Sequence, residues 1–155
     1  MEDMPKNSKR FTHKTVIIWD EEKQSFLCSI GNKTIEIAAS SESKRHEGML
    51  TPEELFVDSI EGFIKDAFID SAKRNNLEIL SYESEGHGIV EKVEDKLMFT
   101  EIKIRPQIVI ASSIQAGKAK ELIEFAGKNC PILNFLKCKV SIYPEIKIGV
   151  QYDKL

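Results

Sequence analysis

Thr51-Pro52-Glu53-Glu54 constrains the fold of this chain more than any other four residues. Thr51 is suited to cap a helix N-terminus. Pro52 suits the first helical position, where its missing N–H costs nothing, and Glu54 suits the reciprocal acid of a capping box. Phe56, Ile60, Phe63, Ile64, Ala67 and Phe68 then recur at helical spacing, with Asp58, Glu61, Lys65, Asp70 and Arg74 at the more polar positions. The spacing predicts one long amphipathic helix ending at Asn75-Asn76. Glu61–Lys65 and Asp70–Arg74 fall at i,i+4 and support it. A helix with one broad apolar face must pack on a sheet or on another helix.

The remainder of the chain is dominated by strand patterns. Thr15 to Trp19, Phe26 to Ile30 and Lys33 to Ile37 read as a small antiparallel sheet, with Gly31-Asn32 as a hairpin turn and Ala38 to Leu50 as a loop. After the long helix come strand patterns from Leu77 to Val93 and from Leu97 to Ile110, joined at Glu94-Asp95-Lys96. Pro106 predicts an edge position or a bulge in the second of these, and Gly86-His87-Gly88 a bulge or turn in the first. A second helix is expected from Gln115 to Lys128 and a short one from Pro131 to Lys137. Strand patterns over Lys139 to Ile142 and at Ile146, Ile148 and Val150 follow. The order describes an α+β fold with antiparallel sheets packed around a long helix and a second helix. Residues 1–13 form a polar tail expected to be disordered, and 14–155 a single domain.

Composition narrows the function classes. Of 155 residues, 41% are hydrophobic and 30% charged, an ordinary soluble balance. A net charge of −3 argues against a general polyanion-binding surface, so no nucleic-acid partner is expected. No apolar run approaches the roughly 18 residues of a membrane span, and the N-terminus shows no export leader. Three cysteines, at 28, 130 and 138, cannot complete an intrachain disulfide framework, which fits a cytoplasmic protein. His13, His46 and His87 share no metal-ligand spacing with the cysteines, and no phosphate-loop motif is present. Neither metal nor cofactor is expected.

Cys130 is the principal chemical candidate. It precedes Pro131, the expected first residue of the short helix, and is therefore the expected N-cap. A thiol there faces unpaired N–H groups and the positive end of the helix dipole, both of which favour thiolate. The alternative is a small buried packing residue beside a chain turn. Cys28 lies mid-strand and reads as packing. A Cys130–Cys138 bridge is sterically conceivable, and the sequence does not decide it.

Two segments together resemble a known family. Thr51-Pro52-Glu53-Glu54-Leu55-Phe56 resembles the Asn/Thr-Pro-Glu-x-Leu signature of the OsmC/Ohr family (osmotically inducible and organic hydroperoxide resistance proteins). Asn129-Cys130-Pro131-Ile132-Leu133-Asn134 resembles that family's Cys-Pro segment, and the element order agrees from about Thr15 onward. The resemblance implies an OsmC-like fold, an intertwined homodimer with sites at the subunit interface, and thiol-dependent reduction of organic hydroperoxides. In that chemistry a cysteine on the long helix attacks the peroxide and the Cys-Pro cysteine resolves it. By spacing from Pro52-Glu53 the attacking position falls on Phe63, and Cys130 is the resolving partner. Phe63 alone has a simpler explanation as part of the apolar stripe. Glu53 matches the family's active-site carboxylate, which orients an arginine; its simpler role is a first-turn acid stabilised by the dipole. The early loop that carries the family's arginine is here Asp20-Glu21-Glu22-Lys23-Gln24, without an arginine; Arg45, in the loop before the long helix, is a candidate pocket residue that the sequence does not place. The resemblance thus implies a divergent member with the two-cysteine peroxidase mechanism lost and a single site thiol retained. Its alternatives are a single-cysteine peroxidase using an external thiol and a non-enzymatic binder of a small apolar ligand.

Overall fold

The computed structural model describes residues 11–20, 25–30, 33–38 and 49–150. Arg45, His46, the Gly31-Asn32 turn and the first ten residues of the expected tail lie outside the described residues. The chain forms two compact units, Met1–Pro52 and Glu53–Leu155.

The first unit is a three-stranded antiparallel sheet of β1 (Val16–Asp20), β2 (Ser25–Ile30) and β3 (Lys33–Ala38), in that order. Its register places Ile17, Cys28 and Ile35 in one cross-strand row. These β-branched and small apolar residues suit a pleated surface. Leu50 returns to the sheet by a parallel bridge to Ile37, fixed by the Ala38 N–H donating to the Leu50 carbonyl at 3.0 Å.

The second unit is organised by α1 (Pro52–Arg74). Its buried residues are Val57, Ile60, Ile64, Phe68 and Ala72, a stripe at three- and four-residue spacing. The helix ends where expected. Asn76 takes φ 52°, the left-handed conformation that Asn tolerates. The Leu77 N–H then reaches the Ala72 carbonyl (2.9 Å) and the Asn76 N–H reaches that of Lys73 (3.2 Å), satisfying two terminal acceptors.

Next, β4 (Ile79–Val93) and β5 (Lys96–Ile110) form a long antiparallel hairpin. Glu94 (φ 47°) and Asp95 (φ 65°) make its two-residue turn, both left-handed as such hairpins require. Gly86 and Gly88 belong to β4 rather than to a bulge or turn. The reason is close helix packing: a Cβ on Gly86 would stand 2.5 Å from Glu61 Oε2 and 2.6 Å from Val57 Cγ1, and one on Gly88 2.8 Å from Val57 Cγ2. On β5, Ile102, Ile104, Ile108 and Ile110 point to one face and are fully buried. With the α1 stripe and Ala119, Leu122, Ile123 and Ala126 of α2 (Ala116–Lys128), they form the core. Each such isoleucine contributes about 1.5–3 kcal/mol by burial.

The short α3 (Pro131–Phe135) leads into β6 (Lys139–Ile142) and β7 (Glu145–Ile148), both parallel to β5. The expectation of antiparallel sheets is therefore corrected for this edge. The crossover through α2 and α3 returns the chain to the starting end of β5, which permits parallel pairing. Pro106 is also not at an edge. It lies fully buried in the central strand β5. The register pairs Ile104 with Ile142 and Gln107 with Glu145, so Pro106 stands opposite Pro144. Ile104 and Ile110 accept from the Tyr143 and Gly149 N–H groups at 2.8 and 3.0 Å. By the same alternation, residue 106 would donate to the Tyr143 carbonyl, and proline has no proton to give. Its missing donor divides the neighbouring strand into β6 and β7.

Candidate functional site

The backbone at Cys130 agrees with the sequence. α2 ends at Asn129, whose Nδ2 donates to the Phe125 carbonyl at 2.8 Å. The Cys130 N–H donates to the Gly127 carbonyl (3.2 Å), closing that end. Cys130 itself is extended (φ −69°, ψ 117°), Pro131 opens α3, and the Cys130 carbonyl accepts its first hydrogen bond from Asn134 N–H at 3.2 Å. The side chain is buried, as the packing alternative expects. It makes no capping hydrogen bond and is 0% exposed. Cys28, Cys130 and Cys138 are all free thiols.

Glu53 and Phe63 lie on α1, both half-buried. Ten residues at 1.5 Å each place them about 15 Å apart along the helix axis. Phe63 is off the buried stripe: it precedes Ile64 by one residue, a rotation of about 100°. Phe56, seven residues earlier on the same flank, tilts against Phe99 with ring centroids 5.1 Å apart. Within the second unit, then, α1 holds Glu53 and Phe63 on its length, while Cys130 belongs to the α2–α3 junction. Arg45 lies outside the described residues.

Cys138 lines both of the larger clefts described. One, about 500 Å³, runs between α2, α3 and β6 and includes Glu124, Lys128, Leu133 and Asn134. The other, about 470 Å³, lies between Phe56, the β4–β5 tip (Val93, Met98, Phe99, Thr100) and the segment Leu136–Lys139. The eight-residue spacing of Cys130 and Cys138 carries no sign of this, because the clefts are assembled from elements distant in sequence.

A polar group joins α1 to β4. Ser84 Oγ donates to Glu61 Oε1 at 2.5 Å, while Lys65, the expected partner of Glu61, pairs with Asp66 at 2.9 Å. Tyr82, two residues before Ser84 on the same face, packs its ring on Phe68 and buries its hydroxyl without a hydrogen bond. Burial pushes the Tyr82 phenol up from 10.0 to about 12; the adjacent Ser84 hydroxyl draws it down, and the Glu61 carboxylate adds to the rise. The Ser84 hydroxyl acts by proximity, since its proton is committed to Glu61. Among the described residues no group of three or more His, Cys, Asp or Glu is placed to hold a metal, and no helix is long and apolar enough to cross a membrane.

The fold, an α+β arrangement with one long helix against a hairpin-centred sheet, recurs in solved structures. An OsmC-like protein of unknown function from Vibrio cholerae superposes with a TM-score of 0.76 at 20% identity, covering 87% of this chain and 99% of that one. An organic hydroperoxide resistance protein OsmC from Legionella pneumophila gives 0.63 at 15% identity, covering 89% and 99%. The organic hydroperoxide resistance protein OhrB of Bacillus subtilis gives 0.60 at 23% identity, covering 88% and 98%. No curated protein matches the chain by sequence. The family model described as OsmC-like protein matches residues 45–145, and the chain belongs to that family.

Proposed function

We propose that this chain is an OsmC-like relative of the thiol-dependent organic hydroperoxide reductases in which the two-cysteine reaction has been lost. The observation that carries this reading is the helix α1: none of its 23 residues is a cysteine, and the family resemblance carries the attacking position onto Phe63. A phenyl ring cannot cleave an O–O bond. Cys130 is the retained site thiol, and its complete burial supports a role in shaping a site rather than in turnover. The protein is a cytoplasmic homodimer in this reading. Two copies of α1 lying antiparallel would bring Glu53 of one beside Phe63 of the other, a meeting that 15 Å of axial separation denies to a single helix. A small apolar molecule or organic hydroperoxide is the ligand of that pocket.

A second reading rests on Cys130 opening a proline-initiated helix. Its thiolate would attack the peroxide, releasing an alcohol and leaving a sulfenic acid. An external thiol would condense with that acid to a mixed disulfide and water, and a second would free Cys130 as a disulfide leaves. The test follows cumene hydroperoxide loss and thiol loss together, for wild type and Cys130→Ser, with several thiol reductants. Inert wild type is the expected result. Rapid consumption abolished by Cys130→Ser establishes the second reading, and consumption that survives Cys130→Ser excludes both.

A further inference from the structure

The cleft of about 470 Å³ between Phe56, the β4–β5 tip and Leu136–Lys139 has a chemistry of its own. Its volume falls in the range of small-molecule sites. Its walls are aromatic and aliphatic. The Phe56 and Phe99 rings stand tilted at 43°, leaving ring faces and edges for a third ring to stack or abut. Met98, 44% exposed, adds a polarizable thioether, which favours ring edges.

The charged residues that line this cleft are lysines, and the two carboxylates beside it are engaged, Glu91 by the Thr100 hydroxyl and Glu101, the register partner of Lys139, by Lys103. Lys137 and Lys139 line it, and no acidic residue does. Among the described residues neither ammonium pairs with a carboxylate, whereas Lys65, Lys92, Lys103, Lys118 and Lys147 each do. The neighbouring cleft differs, since Glu124 lines it together with Lys128. The Thr100 hydroxyl is committed to Glu91, so the lysines are the polar anchors left. Cys138 lines the wall, half-buried and free.

We infer that this cleft binds an aromatic monoanion, a carboxylate of one- or two-ring size. Its ring lies against Phe56, Met98 and Phe99, and its carboxylate between Lys137 and Lys139. The inference does not depend on Cys130 reacting, and it involves no covalent step. Apolar walls supply the affinity and the two ammoniums the choice of an anion over a neutral molecule.

Cys138 provides the readout in the wild-type protein. Iodoacetamide alkylation is followed at each cysteine by peptide mapping, with 3-phenylpropionate, 3-phenylpropanol or hexanoate added. The expected result is that saturating 3-phenylpropionate slows Cys138 about tenfold and leaves Cys28 unchanged, with the alcohol about tenfold weaker in affinity. In a Lys137→Gln/Lys139→Gln variant the acid should lose its advantage while the alcohol still protects, an outcome that misfolding cannot produce. The assignment is overturned by unprotected Cys138, by equal slowing of Cys28, by alcohol matching acid in the wild type, or by hexanoate outperforming the aryl acid. A Cys138 that resists alkylation at every protein dilution without ligand overturns it too, because the cleft is then closed or covered by a second copy.

Discussion

Tyr82 carries an energetic liability that its neighbours do not relieve. A buried hydroxyl without a partner costs about 1–3 kcal/mol of desolvation, and the phenyl ring alone makes the contact with Phe68. Tyr82→Phe should therefore be at least as stable as the wild type near neutral pH, by chemical denaturation. The pH dependence has a definite sign. The folded pKa of about 12 lies above the ordinary 10.0, so the native state holds the phenolic proton more tightly than the unfolded chain does. That contribution is complete below pH 10.0, and it is lost as pH rises through about 12. Comparing denaturation at about pH 9 and about pH 11 should show the wild type losing ground to Tyr82→Phe. Parallel profiles would refute the assignment. Nothing in the local sequence Ser81-Tyr82-Glu83-Ser84 announces this, because the burial comes from Phe68 and Glu61 on a different element.

At the scale of elements, the approach of α1 to β4 depends on two missing side chains. Val57 and Glu61 occupy the space where a Cβ on Gly86 would stand, at 2.6 and 2.5 Å, and Val57 also fills that over Gly88. Gly86→Ala should destabilise by about 1–3 kcal/mol through overpacking, against strand propensity that would otherwise favour alanine slightly. Loss of the Ser84–Glu61 hydrogen bond should accompany it, since the Glu61 carboxylate must move together with Val57. An unchanged melting midpoint for Gly86→Ala would show that the helix does not approach this closely. The helix itself was legible in full, from the Pro52 start to the Asn75-Asn76 stop, because capping and periodicity are local. The parallel placement of β6 and β7 was not. A four-residue apolar alternation does not state which neighbour it pairs with, and the partner was selected by the crossover through α2 and α3.

For the whole molecule, surface composition does not decide assembly. Ile17 and Trp19 of the first unit are more than half exposed, and in the second unit Leu97, Ile114 and Phe135 are 70%, 93% and 72% exposed. Apolar side chains scattered singly are ordinary on a protein surface, so the proposed homodimer rests on the family resemblance rather than on them. Sedimentation at micromolar concentration should give twice the 17.6 kDa chain mass, and a monomer there would contradict the proposed homodimer. The sequence by itself determined the element order, the long helix with its two ends, the hairpin turn at Glu94-Asp95 and the backbone course at Cys130-Pro131. Each of these follows from capping, φ preference or the period of apolar residues within a short window. Tertiary structure alone decided that Cys130 is sealed from solvent while Cys138 opens onto two clefts, that Pro106 lies in the core and divides its neighbouring strand, and that Tyr82 keeps an unpaired hydroxyl. Exposure and hydrogen-bond partnership are properties of surfaces brought together from distant parts of the chain, and no local pattern encodes them.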